Sequence, residues 1–235
     1  MVDHLTVVMP IFDRMTHLDF TGPHQFLSRI PNAKVLVASV NAEPVTADGL
    51  TFSSLEDLEA VDRCDILCVP GGSGCFAAIE NGRYMDEIRR LAGSSRYVTS
   101  VCSGSLILGA AGLLGGKRAA CHWAFRDMLP LFGAIPDDSR VVRDGRIITG
   151  GGVTAGIDFA LVMIAELAGH EVAEAVQLNL EYAPEPPFGS GRPEAAAPNI
   201  RDAVIARIAA AAPDGQAIVE RAAADLMVAL GATVQ

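Results

Sequence analysis

Apolar residues along this chain gather in short β-branched runs that alternate with longer runs of helical spacing. Leu5-Thr6-Val7-Val8-Met9 reads as a buried strand stopped by Pro10, and Lys34 to Val40 as a second. Val45 to Phe52 reads as a hairpin turned on Asp48-Gly49. Asp65 to Pro70 is a third buried strand, running into Gly71-Gly72-Ser73-Gly74. Tyr84 to Leu91 carries its charges on one face, the mark of a solvated amphipathic helix. Lys117 to Cys121 reads as a short strand that delivers His122 and Trp123. Val141 to Thr149 forms a second Asp-Gly hairpin and ends in Gly150-Gly151-Gly152. Thr154 to Leu167 and Val172 to Leu180 are helical, with Asp158 placed against the helix dipole or in a buried pairing with an arginine. Pro184 to Pro193 is too rich in proline and glycine for a regular element, and Asn199 to Ala211 and Gly215 to Leu230 read as further amphipathic helices. Alternating strands and helices predict a three-layer α/β sandwich with a mostly parallel, flavodoxin-like central sheet. The boundaries that follow are a catalytic domain over 1–183, then an arm and helices over 184–235 that pack on it or on a dimer partner.

The chain is organised around Arg96 to Ala111. The first half, Arg96-Tyr97-Val98-Thr99-Ser100-Val101, has strand character, and the second, from Leu106 on, is apolar all round and helical. Cys102-Ser103-Gly104 leaves no room between them for an ordinary loop. Cys102 therefore sits on a sharp strand-to-helix turn, the geometry of a nucleophile elbow. The free N–H groups of a helix start there favour a thiolate, with a pKa below the roughly 8.5 of a free cysteine. A small buried cysteine is the plainer reading, but the Gly and Ser neighbours that permit a strained turn favour a catalytic nucleophile.

Ligands of parallel sheets bind at the carboxyl ends of the strands, where Asp19, Gly71-Gly72, Cys102, His122 and Gly150-Gly151-Gly152 are all expected to fall. Asp19 lies in a loop between Leu18 and Phe20, ahead of a helix with Pro23 in its first turn, and either caps that helix or serves the site. Asp13 and His17 lack such an apolar frame and are read as surface residues. The turn at Gly71-Gly72 is a tight turn or an anion-binding one, without the spacing of a dinucleotide fingerprint. His122 is either structural or catalytic. Cys64 and Cys68 are read as core, and Cys75 and Cys121 as spectators near the site.

Composition narrows the setting. The net charge of −10 argues against nucleic acid and anionic membranes, and no apolar run reaches the ~20 residues of a membrane span. Asp3 and His4 at the start do not resemble a signal peptide, and five cysteines without framework spacing fit a reducing compartment, so a soluble cytoplasmic protein is expected. No pair of Cys, His or acidic residues has metal-ligand spacing, so no metal is expected.

Several stretches resemble the PfpI-type, class I glutamine-amidotransferase-like superfamily. They are Leu18-Asp19-Phe20-Thr21-Gly22-Pro23, Val69-Pro70-Gly71-Gly72, Val98 to Ser105, His122-Trp123, Thr149 to Asp158 and Leu180-Glu181-Tyr182-Ala183-Pro184. The resemblance covers roughly Leu5 to Pro193. Asp19, where many relatives carry Glu, and the Glu-Tyr-Ala-Pro arm are similar to the isocyanide-hydrating members. Ser103 and Cys121 depart from that pattern, which has Thr at both positions; Ser103 keeps the hydroxyl. What the resemblance implies is isocyanide hydratase activity without a cofactor, in a homodimer. Cys102 would attack the isocyanide carbon, Asp19 would act as general acid and then general base, and the Ser103 hydroxyl would orient Asp19 or the water. The N–H groups of Gly72 and Ser103 would stabilise developing negative charge, with Gly71, His122, Gly150 and Gly151 around the pocket. The same cysteine would also suit an α-oxoaldehyde-processing or peptide-cleaving enzyme, or a redox sensor that signals through an oxidised Cys102.

Overall fold

The computed structural model describes residues 5–231. The chain opens with β1 (Leu5–Pro10), α1 (Leu18–Leu27) and β2 (Ala33–Ser39), followed by the hairpin β3 (Val45–Ala47) and β4 (Leu50–Phe52) and the short β5 (Glu56–Asp57). Then come β6 (Ile66–Val69), α2 (Cys75–Glu80), α3 (Gly82–Ser94), β7 (Tyr97–Val101) and α4 (Gly104–Ala110). β8 (Arg118–Ala119), β9 (Ile135–Pro136), β10 (Val141–Asp144) and β11 (Ile147–Gly150) complete the strands. The remaining helices are α5 (Ala155–Ala168), α6 (His170–Asn179), α7 (Pro198–Ala211) and α8 (Gly215–Ala229).

Seven strands form the central sheet in the order β10-β11-β7-β6-β1-β2-β5, parallel except for the β10–β11 hairpin. β6 and β7 are buried at every position, which is why their sequences read as unbroken apolar or small runs. α1, α5 and α6 pack together on one face; α2, α4 and α8 pack on the other. From β1 the chain first steps outward to β2, then returns to place β6 on the other side of β1. The crevice at that reversal, beyond the carboxyl ends of β1 and β6, is where ligands of open parallel sheets bind.

Four expectations need correction. Asp19 is not in a loop: α1 begins at Leu18, its first turn closed by N–H bonds from Asp19 to Thr16 and from Phe20 to His17. Pro23 consequently falls in the middle of α1 rather than in its first turn. The strand before His122 is only Arg118–Ala119 and pairs with β9 in a separate two-stranded sheet, so His122 does not leave the central sheet. α7 lacks the buried face of an amphipathic helix, since none of its residues is buried. α8 does bury one face, through Gly215, Val219 and Ala223.

Candidate active site

The turn after β7 is held from below. Cys102 takes φ 60°, a left-handed conformation that costs a non-glycine residue about 1–2 kcal/mol. Its N–H donates to the carbonyls of Gly150 at 3.1 Å and Gly151 at 2.8 Å, which offsets that cost. Gly150 and Gly151 thus anchor the turn through their carbonyls, because β11 runs parallel beside β7 and ends level with it. Gly104 lets α4 start tight against β6: a Cβ there would lie 2.4 Å from the Val69 carbonyl oxygen.

Asp19 is fully buried. Its Oδ2 accepts the Gly71 N–H at 3.0 Å, while Oδ1 has no hydrogen-bond partner among the described residues. Loss of water lifts its pKa from 3.8 to about 7. The neighbouring Cys102 thiol and the Gly71 N–H pull it down in part, and the charge of Asp48 pushes it up. Asp48, which its sequence position marks only as a turn residue, also accepts the His17 N–H at the start of α1. Burial thus leaves the carboxyl partly protonated near neutrality.

Cys102 departs from expectation. Burial pushes its thiol well above the ordinary value, with the charges of Asp19 and Cys121 adding to the effect; the Ser103 N–H acts against it. α4 is only seven residues long, and its start does not outweigh burial. The resting sulfur therefore carries its proton, and Asp19 is the group beside it that titrates near neutral pH. The other four cysteines are free and buried too. Cys68 and Cys75 are pushed up to about 12 by burial.

The Ser103 hydroxyl does not hydrogen-bond Asp19. Its Oγ accepts the Gly72 N–H at 2.9 Å and donates to the Gly72 carbonyl at 3.2 Å, clamping the Gly71-Gly72 turn to the elbow. The Gly72 N–H is thereby engaged, which leaves Ser103 N–H, beside the Cys102 sulfur, as the backbone donor of the pair. Gly71 is fixed by contact rather than by exposure to ligand. A Cβ on it would meet Ser103 N at 2.5 Å and Asp19 Oδ2 at 2.9 Å. Gly71→Ala should therefore displace Asp19 and cost at least about 1–3 kcal/mol of stability. A chemical-denaturation midpoint unchanged from wild type would contradict this packing.

His122 Nδ1 accepts the Ala124 N–H at 3.3 Å, which assigns the ring proton to Nε2. Burial lowers its pKa, so the ring is neutral at pH 7. With Thr16, Gly72, Ser73, Cys102 and Ser103 it lines a cavity of about 150 Å³, closed on the other side by Phe125, Val153, Ile208, Ala211 and Ala212. These last five were not legible as site residues, since they carry no reactive group and reach Cys102 only through the tertiary fold. Asp13 stays at the surface, where Oδ1 accepts the Thr46 N–H. Asp158 lies outside the cavity in a half-exposed cluster, paired with Arg140 and accepting from the Tyr182 hydroxyl. Among the described residues no three His, Cys, Asp or Glu side chains gather as a metal site.

The chain contains what covalent chemistry at an electrophilic carbon requires: one thiol, one carboxyl that exchanges protons near pH 7, and a small, mostly apolar cavity. Known proteins resemble the chain over most of its length. The isonitrile hydratase of Pseudomonas putida is 48% identical over 217 residues, covering 92% of this chain and 95% of that one. The crystal structure of a THiJ/PfpI family protein from Pseudomonas syringae superposes with a TM-score of 0.88 at 39% identity, covering 94% of this chain and 91% of that one. Oxidized DJ-1 of Toxoplasma gondii, at 24% identity, shares the fold with a TM-score of 0.69 over 77% of this chain and all of that one. The model of the DJ-1/PfpI family matches residues 5–166, and the chain belongs to that family.

Proposed function

We propose that this protein is an enzyme that adds water to an isocyanide, R–NC, to give the N-substituted formamide R–NH–CHO. One observation carries the reading: the likeness to the P. putida isonitrile hydratase runs through nearly the whole of both chains. The buried Asp19–Cys102 pair supports it chemically.

The active pair holds one proton between carboxyl and thiol. Asp19 takes the proton from Cys102, the sulfur bonds to the terminal isocyanide carbon, and Asp19 returns the proton to that carbon. The product is a thioimidate, R–N=CH–S–Cys102. Asp19, again ionised, accepts a proton from water as its oxygen attacks the same carbon, and passes that proton to the nitrogen, which becomes N–H. Collapse of R–NH–CH(OH)–S–Cys102 breaks the carbon–sulfur bond, releases the formamide and restores the thiol. Atoms and protons balance with water alone, so the cycle needs no cofactor. Ser103 N–H faces the sulfur where charge develops, and a donor so placed contributes about 3 kcal/mol.

The proton count sets a pH dependence. Below about 7 both groups are protonated and the thiol has no base beside it; above it Asp19 is ionised. kcat/KM should rise with pH through an apparent pKa of about 7, a value belonging to the coupled pair. A rate that is flat from pH 5 to pH 9 would remove Asp19 from proton transfer.

The reaction itself is tested by incubating the protein in parallel with phenyl isocyanide and methylglyoxal and identifying the products by mass spectrometry. N-phenylformamide from the first and no turnover of the second is the expected result; turnover of methylglyoxal alone would make this an α-oxoaldehyde enzyme. The protein acts as a cytoplasmic homodimer in this proposal. Five free thiols suit a reducing compartment, and the exposed Leu178 and Phe188 supply apolar surface for a second copy. In this proposal residues 1–183 are the catalytic domain; α8 of the following segment packs against α2 and α4, and Ile208 and Ala211 of α7, with the adjoining Ala212, line the cavity.

A further inference from the structure

The cavity at Cys102 shares walls with two neighbouring spaces. Toward the C-terminal helices it shares Phe125, Ile208 and Ala212 with a second cavity of about 380 Å³. Phe76, Trp123, Met128, Ile205 and Pro213 give that cavity carbon-rich walls. On the opposite side it shares His122 and Val153 with a polar cleft of about 220 Å³ that includes Arg126, Arg140 and Arg192. The cleft's cations are partly committed. Arg140 pairs with Asp158 and also donates to Thr154, Arg192 donates to the Asp138 carbonyl, and Asp138 and Glu194 add negative charge to the same walls.

Size decides how much of a substrate stays beside the sulfur. An apolar cavity of ~150 Å³ holds a single benzene ring. The reacting carbon and nitrogen take part of that space, so any substituent beyond about one ring must extend outward. The apolar side is open to receive it: α7 buries none of its residues, and Ile205 on its cavity side is 45% exposed. Such an unfilled apolar wall next to a reactive group is the usual form of a small-molecule subsite.

We infer that the cavity between Phe76, Phe125 and the α7–α8 junction binds the far end of the substrate's substituent, so that the protein takes isocyanides with extended apolar or aryl substituents. Ile208 and Ala212 form the doorway and act as specificity-determining residues. The inference rests on the hydratase reading for its choice of reacting group, but the cavity's affinity for an apolar aryl compound can be measured without turnover.

The test compares 4-cyclohexylphenyl isocyanide with methyl isocyanide in the full chain and in Ala209→Phe. Ala209 is an exposed helix residue lining only the outer cavity, so the added ring occupies that space without touching the core. The wild-type kcat/KM ratio should favour the large substrate at least tenfold, and Ala209→Phe should lower that ratio by about tenfold. Trp123, the single tryptophan of the chain, lines both the outer cavity and the polar cleft, so its fluorescence reports binding and the effect of Ala209→Phe assigns that binding to the outer cavity. Titration with N-(4-cyclohexylphenyl)formamide should change its fluorescence saturably, and Ala209→Phe should weaken that binding. If neither isocyanide is consumed, the hydratase reading fails, and the titration alone still decides whether the cavity binds an apolar aryl group. An unsaturable titration, a ratio indifferent to Ala209→Phe, or a preference for a carboxylate-bearing isocyanide that depends on Arg126 would overturn the inference.

Discussion

Replacing Cys102 with Ala should abolish isocyanide turnover, by more than about 10⁴-fold, while the protein remains folded. The expectation follows from the elbow itself. Alanine keeps the Cβ and adds no strain at φ 60°, and the bonds from N–H to the Gly150 and Gly151 carbonyls do not involve the side chain. Only the sulfur is lost. Cys75 and Cys121 cannot replace it: both thiols are buried and pushed far above their ordinary values, and neither lines the Cys102 cavity. Thermal unfolding near that of wild type, together with no detectable formamide, is the expected pair of results. Substantial turnover in the folded variant would exclude covalent attack by Cys102.

Asp19→Asn should cost about 10²–10⁴-fold in turnover, since the amide keeps the shape but cannot carry a proton from thiol to carbon and then take one from water. Asp19→Glu tests position rather than chemistry. Its extra methylene moves the carboxyl off the Gly71 N–H, and displacing a reacting group by about 1 Å costs on the order of 10²-fold. The Asn variant has a second consequence, in stability. Because the folded pKa of Asp19 lies above its unfolded value, folding takes up a proton between pH 4 and pH 7, and stability from this group is lost as pH rises through about 7. A carboxyl moved from 3.8 to about 7 corresponds to roughly 4 kcal/mol. Asp19→Asn should therefore unfold at a higher temperature than wild type at pH 8, with a much smaller difference at pH 5. Equal unfolding temperatures for the two proteins at pH 8 would mean that Asp19 is not charged in the buried site.

The same residues explain what could be read from the chain in advance. The elbow was legible because strand, turn and helix are contiguous in Arg96 to Ala111, and a turn of two or three small residues has few solutions. The parallel sheet was legible for the same local reason, as buried β-branched runs between helices. Protonation was only half legible. The large apolar neighbours of Asp19 signalled a raised pKa, but the fate of Cys102 depends on its burial in the tertiary fold and not on the local helix start that argued for a thiolate. Ser103 was ambiguous in another way: a hydroxyl read as orienting Asp19 or the water is instead seen bonded to the Gly72 backbone, through packing of the β6 turn against α4 that no local sequence signal shows. His122 reached the cavity as expected but from a small separate sheet, because a two-residue strand leaves no periodicity to read. The cavity walls Ile208, Ala211 and Ala212 left no local signal at all.

The most direct measurement of the covalent mechanism is mass spectrometry of the wild-type protein quenched with acid during turnover of excess phenyl isocyanide. The mechanism predicts a trapped thioimidate, adding the full mass of one isocyanide to the peptide that contains Cys102, and little of it in Asp19→Asn, which can neither take the thiol proton nor deliver it to carbon. A protein that only sensed oxidants would gain oxygen at Cys102 and no substrate mass. Formamide production by the wild type with no adduct on Cys102, or an adduct found on Cys75 or Cys121 instead, would contradict the mechanism.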